Sequence, residues 1–142
     1  MVTVDVMPTL EQILGFSNRW YPYAMRTAEA VTLPSGAIIR VISAPAFAAT
    51  KLEAFAGRGK NDYLFSHDLG DLIALVDGRD TLVEECRRSD PELQEYMKDR
   101  ISRLLATPAF LQALPGHLPG DAASQARAPD IEDKLRRIAT PD

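Results

Sequence analysis

The stretch that decides the fold is residues 44–77, APAFAATKLEAFAGRGKNDYLFSHDLGDLIALVD. Its apolar residues recur at helical spacing on both sides of a segment rich in glycine and polar residues, which predicts two amphipathic helices joined by a short loop. Pro45 suits the first turn of the first helix, and Ser66 is a good cap for the second. The sequence therefore predicts a helical hairpin at the centre of the chain.

Charged side chains occupy regular positions on this helical hairpin. Lys51 and Arg58 share one stripe of the first helix, and Asp68 and Asp71 share a stripe of the second. If the helices lie antiparallel, Lys51 comes close to both aspartates. Such a group is either a partly buried ion pair or part of a phosphate-handling site. Spacing alone favours the ion pair, because pairs of this kind are more often structural.

The loop between the two helices is basic. Arg58 and Lys60 flank Gly59, so the loop has the donors needed to contact a phosphate and is a candidate nucleotide-binding segment. It lacks the Gly-x4-Gly-Lys spacing of a P-loop, and a basic loop between helices is usually just solvated. Both interpretations stay open at the level of residue spacing.

Upstream of residue 44 the pattern is that of strands. Residues 2–7, VTVDVM, have valine at every second position, which predicts a strand. Thr27–Leu33 and Ala37–Ile42 are β-rich runs on either side of Pro34-Ser35-Gly36, a turn sequence, and predict a β-hairpin. The expected fold class is α+β, with a small N-terminal mixed sheet, one strand plus a hairpin, packed on a mostly helical C-terminal part.

The predicted domain covers residues 1–114, with the strand and β-hairpin in 1–43 and helices in 44–114. Beyond Pro108 several Pro and Gly residues interrupt the pattern, so residues 115–142 are expected to be a loosely ordered tail. A late, loose helix over about 131–138 is the alternative to disorder there. Two further helices are predicted over about 81–88 and about 91–106.

The composition narrows the class of protein. The 142 residues are 46% hydrophobic and 25% charged, as in an ordinary soluble globular domain. The net charge of −4 argues against a dedicated nucleic-acid or membrane-surface binder, although it leaves room for a local basic patch. No stretch approaches the roughly 20 apolar residues that span a bilayer, and the N-terminus lacks the pattern of a signal peptide. A cytoplasmic protein with no membrane contact is expected.

Cys86 is the single cysteine, so no internal disulfide forms, which fits a reducing cytoplasm. It has no identifiable neighbouring base, and a buried or inert thiol is expected. Asp5 is a further candidate for chemistry, because a carboxylate in an apolar strand is costly unless it faces water or a metal ion. Its same-face neighbours, Thr3 and Met7, are not acidic, so Asp5 is either a metal ligand or a charge at a strand edge.

A family resemblance is carried by four segments of the helical hairpin: Ala44-Pro45, Ala49-Thr50-Lys51-Leu52-Glu53-Ala54-Phe55, Arg58-Gly59-Lys60 and Asp68-Leu69-x-Asp71-Leu72. Together they resemble the C-terminal half of AbiEii-type nucleotidyltransferase-like proteins, within the DNA polymerase β-like nucleotidyltransferase superfamily, which includes abortive-infection toxins. Residues 4–8 and 14–21 look like the strand and connector that precede this half. The resemblance covers roughly residues 2–85.

The resemblance implies a partial nucleotidyltransferase fold and transfer of a nucleotide from an NTP, with Mg²⁺ held by strand carboxylates and RNA, including tRNA, as an acceptor. Lys51 matches the family's helix lysine that contacts nucleotide phosphates. Asp68 and Asp71 match the aspartates of the following helix, so these three are the candidate catalytic residues. Asp5 matches the separate strand carboxylate and is the candidate metal ligand.

Two elements of the family pattern are missing from this sequence: a Gly-Gly or Gly-Ser turn, and an Asp-x-Asp metal pair before Asp5. We therefore expect a truncated toxin-like enzyme that is inactive alone and needs a metal-binding N-terminal half, with an antitoxin as a further partner. The alternative is a non-enzymatic interaction or dimerisation module, a homo-oligomer formed through an exposed strand edge.

Overall fold

A computed structural model of the chain describes residues 18–58 and 61–140. Within these ranges the fold is α+β, with a small two-stranded antiparallel sheet followed by a mostly helical part, as the sequence predicts. The predicted strand over residues 2–7, and with it the mixed character of the sheet, lies outside the described residues. None of the helices described is long and apolar enough to cross a membrane.

The chain order is one helix, a β-hairpin and then a series of helices. The strands are β1 (Glu29–Thr32) and β2 (Ile38–Val41). The helices are α1 (Tyr21–Thr27), α2 (Ala44–Arg58), α3 (His67–Gly78), α4 (Leu82–Arg87), α5 (Pro91–Leu105), α6 (Pro108–Ala113), α7 (Ala122–Gln125) and α8 (Ala128–Ala139), with a 3₁₀ helix (Leu114–His117) directly after α6.

The β-hairpin turns at the predicted position. Gly36 has φ +88°, a left-handed conformation that glycine adopts without steric cost, and its N–H donates to the Leu33 carbonyl at 2.9 Å. The strands are shorter than predicted. Thr27 is instead the last residue of α1, where its hydroxyl donates to the Tyr23 carbonyl one turn earlier at 2.8 Å. A side-chain bond of this kind is invisible to a strand pattern.

The helical hairpin forms from α2 and α3, which pack against each other. Ser66 caps α3 as predicted, with its side chain accepting a hydrogen bond from the Leu69 N–H at 3.2 Å. The apolar stripe of α3 meets Leu52 of α2 in the core; its buried members are Leu69, Leu72, Ile73 and Val76. Burial of this stripe orients α3, and that orientation turns its acidic residues toward α2.

The C-terminal region departs from the expected loose tail. Helix α8 packs against α3, α4 and α5, and its residues Ile131, Leu135 and Ile138 are at most 4% exposed. These side chains follow an i, i+4, i+7 spacing and therefore line one face of the helix. Arg127 adds an ion pair to Asp77 of α3 at 2.9 Å. The expectation of loose order is wrong for residues 128–139, because the Pro and Gly residues upstream end one helix without preventing the next from packing.

Candidate functional site

The helical hairpin brings together three of the predicted site residues. Lys51 Nζ of α2 lies 2.8 Å from Asp71 Oδ2 and 3.7 Å from Asp68 Oδ1, both on α3. The proximity expected from antiparallel helices is therefore confirmed. The two aspartates lie three positions apart and flank the lysine along one face of α3.

The environments of these charged groups differ strongly. The Asp68 side chain is 8% exposed, that of Lys51 24% and that of Asp71 51%. Asp68 also lies in the first turn of α3, where the helix dipole stabilises an anion. The Lys51 ammonium lies 5.4 Å from the centre of the Phe47 ring, which adds a cation–π contact from its own helix. Lys51 is thus held between a buried carboxylate and a solvent-exposed one.

This geometry decides what Lys51 can bind. At 2.8 Å the contact with Asp71 is within hydrogen-bond distance, whereas at 3.7 Å the contact with Asp68 is an ion pair without a hydrogen bond. An ammonium has three donors, so capacity for a phosphate oxygen remains. Two carboxylates beside one ammonium leave the group negative, which opposes an incoming anion. A phosphate would therefore displace Asp71 and not Asp68, because an exposed ion pair contributes less to stability than a buried one costs to break.

The described residues do not fit a divalent metal ion. No group of three or more His, Cys, Asp or Glu side chains is placed to hold one in the part of the chain that the structure covers. Asp68 and Asp71 face the Lys51 ammonium, which occupies the position that a cation would take between them. Asp5, the predicted metal ligand, lies outside the described residues.

The remaining nucleotide-binding candidates lie at or beyond the end of α2. Arg58 is the last residue of that helix, and its side chain falls outside the description together with Lys60. The roles predicted for Arg58 and Lys60 stay predictions.

Comparison with protein-family models, curated proteins and solved structures gave no match. The resemblance to AbiEii-type proteins therefore rests on the sequence segments quoted above.

Sequence reasoning missed a polar contact on the same helical hairpin. The Tyr96 hydroxyl of α5 donates to Glu53 Oε1 of α2 at 2.6 Å, although the two residues are 43 positions apart. Burial, followed by the bond to Glu53, raises the pKa of Tyr96. The sequence does carry one relevant pattern, because Leu93, Tyr96 and Met97 recur at helical spacing on one face of α5. This pattern predicts that the Tyr96 ring is buried, but it does not predict which residue bonds the hydroxyl.

Cys86 lies in the core, as its sequence context predicts, and is 3% exposed. Burial, with a smaller contribution from the Glu85 carboxylate, raises the pKa of the Cys86 thiol to about 12. A thiol of this kind stays protonated at neutral pH and is a poor nucleophile.

Proposed function

We propose that this chain is the phosphate-side part of an AbiEii-like nucleotidyltransferase, in which Lys51 contacts the phosphates of an NTP. The observation that carries the proposal is the placement of one lysine, 24% exposed, between two aspartates on a pair of packed helices. The resemblance assigns the phosphate contact to this same residue. A phosphate-binding lysine needs a fixed position and access to solvent, and Lys51 has both.

In this proposal the two aspartates position Lys51 and do not touch the reacting atoms. Asp68 is buried and stays beside the ammonium, which fixes the lysine side chain against α3. Asp71 is exposed and yields its place to the phosphate when a nucleotide binds. The lysine therefore exchanges one hydrogen-bond partner for another when a nucleotide binds.

The reaction implied is transfer of a nucleotidyl group to an RNA hydroxyl. The hydroxyl oxygen forms the new bond to the α-phosphorus, pyrophosphate leaves with the electron pair, and the hydroxyl proton passes to solvent. Mg²⁺ supplies charge neutralisation in such reactions. Because the sequence has no Asp-x-Asp pair, we infer that the 142-residue chain binds NTP without completing transfer.

Binding and transfer are tested separately. NTP binding is measured by isothermal titration calorimetry for the wild type, for Lys51→Met and for Lys98→Met, a matched control at an exposed lysine of α5. We expect Lys51→Met to weaken binding at least tenfold and Lys98→Met to leave it unchanged. Equal affinity of Lys51→Met and wild type would remove Lys51 from the proposed site.

Transfer is measured by incubating the chain with each labelled NTP, Mg²⁺ and total RNA. We expect no labelled RNA from the 142-residue chain, and labelled RNA from a longer chain that carries an Asp-x-Asp segment before Asp5. Label transfer by the shorter chain would refute its inactivity. No transfer by the longer chain would refute the enzyme proposal as a whole.

Self-association through the β-hairpin is a second candidate function. Val31, Ile38 and Val41 are each at least 40% exposed, although all three are large apolar side chains on paired strands. A two-stranded sheet is marginal by itself, and exposed apolar surface of this kind marks a contact site. Ile39 and Val41 lie on the same face as Val31, and Ile38 lies on the other face. Antiparallel pairing of β2 with β2 of a second copy, about a two-fold axis at Ile39, would place the two Ile39 side chains opposite each other and Ile38 opposite the second copy's Arg40.

Light scattering coupled to size-exclusion chromatography tests this second candidate. A dimer is expected for the wild type at micromolar concentration, and a monomer for Ile38→Lys, which places a charge on the contact surface. Ala123→Lys, at an exposed position of α7, is the control and should stay dimeric. A monomeric wild type would exclude self-association through β2.

A further inference from the structure

A cavity lies alongside α2, beyond Lys51 in the direction of the helix C-terminus, and belongs to none of the predicted sites. Its volume is about 270 Å³, and it opens between α2, the segment that precedes α3, and the C-terminal half of α5. Its lining includes Leu52, Phe55, Tyr63, Arg100, Arg103 and Thr107. Phe55 is one helical turn beyond Lys51, so the two features share α2 but use different side chains.

The two arginines of this cavity differ in how their charges are satisfied. Arg103 is paired with Asp99 on its own helix at 3.2 Å. Arg100 has no carboxylate partner within the described residues, and its guanidinium lies 5.4 Å from the centre of the Tyr96 ring. The Arg100 Nε is buried without a hydrogen-bond partner there. The Arg100 side chain makes a hydrogen bond with the Tyr96 hydroxyl, which offsets part of the rise that burial causes in the pKa of Tyr96. No carboxylate in the described part of the chain neutralises the Arg100 guanidinium, so an anionic ligand in the cavity would supply a favourable charged partner for it.

The opposite wall of the cavity is aromatic. The rings of Phe55 and Tyr63 contact each other, with centroids 5.4 Å apart and an interplanar angle of 49°. Leu52 extends this apolar surface, and the Thr107 hydroxyl adds a polar group at the arginine side. A ligand that suits both walls has a planar, weakly polar ring at one end and an anion with several oxygens at the other.

We propose that this cavity binds a single nucleotide, with its phosphate on Arg100 and its base against Phe55 and Tyr63. The planar guanidinium matches a phosphate through paired N–H donors, and aromatic side chains accept bases of any sequence. The volume is just below the range of about 300–1,000 Å³ typical of drug-sized ligands, which favours one nucleotide over a larger molecule. This inference goes beyond the NTP site at Lys51 and does not depend on it.

The experiment titrates the full chain separately with adenosine 5′-monophosphate, adenosine and inorganic phosphate. Isothermal titration calorimetry measures the affinities, and NMR chemical-shift changes locate the binding site. We expect the monophosphate to bind at least tenfold more tightly than either fragment. Arg100→Gln should weaken monophosphate binding at least tenfold, and Arg100→Lys, which keeps the charge without the planar donor set, by a smaller factor. Arg88→Gln, at an exposed position after α4, is the matched control and should bind as the wild type does.

Tyr63→Leu separates the aromatic wall from the phosphate contact. It should weaken the monophosphate several-fold and leave inorganic phosphate unchanged. Lys51→Met should leave monophosphate binding at this cavity intact, so a failure here is distinguishable from a failure of the NTP site. Equal binding by Arg100→Gln and wild type, or monophosphate binding no tighter than that of inorganic phosphate, would overturn the proposal.

A competition experiment distinguishes the two sources of such a nucleotide. A short single-stranded RNA is titrated with and without saturating adenosine 5′-monophosphate. Displacement of the RNA by the monophosphate supports the end of an RNA strand as the natural occupant. Independent binding of the two supports the free nucleotide. If the monophosphate displaces the RNA from the wild type, we expect that it no longer does so from Arg100→Gln.

Discussion

Asp68 and Asp71 face the same lysine from environments of very different exposure. Their side chains are 8% and 51% exposed, while Lys51 Nζ lies 3.7 Å from the first and 2.8 Å from the second. The shorter contact is therefore the one that water screens. Because the strength of an ion pair depends on its surroundings more than on its length alone, the two contacts contribute differently to stability.

The first prediction compares these aspartates. Asp71→Asn should lower the free energy of unfolding by less than about 1 kcal/mol, because the Asp71 contact is exposed. Asp68→Asn should cost about 1–3 kcal/mol, because the lost carboxylate is buried beside Lys51 and within the first turn of α3. Urea unfolding at pH 7 measures both. Equal costs would show that burial does not separate the two contacts.

The helical hairpin was predictable from local sequence because several signals agree there. Apolar residues recur at helical spacing, Ser66 supplies a cap, and the antiparallel arrangement then places Lys51 beside Asp68 and Asp71. The turn of the β-hairpin was predictable for the same reason, since Gly36 is placed where a positive φ is needed. In both cases residues close in sequence determine the outcome.

Contacts between distant segments were not predictable in the same way. The Tyr96–Glu53 hydrogen bond and the Arg100 cavity both depend on how α5 crosses α2, and no spacing rule gives that crossing. The composition of the C-terminal region predicts loose order, whereas the apolar periodicity of α8 predicts a packed helix. Its apolar residues Ile131 and Leu135 carry the i, i+4 signal, and the surface they cover comes from three earlier helices.

The second prediction tests whether α8 is an integral part of the core. Leu135→Ala should lower the free energy of unfolding by about 2–5 kcal/mol, because Leu135 is fully buried and the truncation leaves a cavity. Asp133→Ala, an exposed position of the same helix, should change it by less than about 0.5 kcal/mol. Thermal and urea unfolding measure both. A small cost for Leu135→Ala would restore the expectation of a loose C-terminal segment.

The third prediction uses two glycines that differ in backbone conformation. A Cβ added at either Gly36 or Gly57 would meet nothing within 4 Å, so space does not distinguish them. Gly36 has φ +88°, and Gly36→Ala should cost about 1 kcal/mol because an L-residue is strained there. Gly57 lies in the last turn of α2, and Gly57→Ala should stabilise the protein by about 0.5 kcal/mol. Urea unfolding measures both free energies. If both substitutions change the free energy of unfolding in the same direction, backbone conformation does not distinguish the two glycines.

The fourth prediction concerns pH and the buried thiol. Burial raises the pKa of Cys86 to about 12 in the folded protein, whereas the unfolded chain has an ordinary thiol pKa of about 8.5. The contribution of Cys86 to stability is therefore fully present below that unfolded pKa. It is lost as the pH rises toward the folded pKa, because the unfolded chain releases its proton first.

In the window from pH 8 to 9.5 the unfolded Cys86 thiol releases most of its proton, whereas Tyr23 and Tyr96, whose pKa values are raised in the folded protein, contribute mainly above it, near the ordinary tyrosine pKa of about 10. Between pH 8 and pH 9.5 the free energy of unfolding should fall by about 1 kcal/mol. The slope approaches about 1.4 kcal/mol per pH unit once the unfolded thiol has lost its proton and the folded thiol still keeps it. Cys86→Ala should flatten the profile by that amount, although its stability at pH 7 is lower because of the cavity it creates. Parallel profiles for the two proteins would mean that Cys86 ionises equally readily in the folded and unfolded chain, which its 3% exposure argues against.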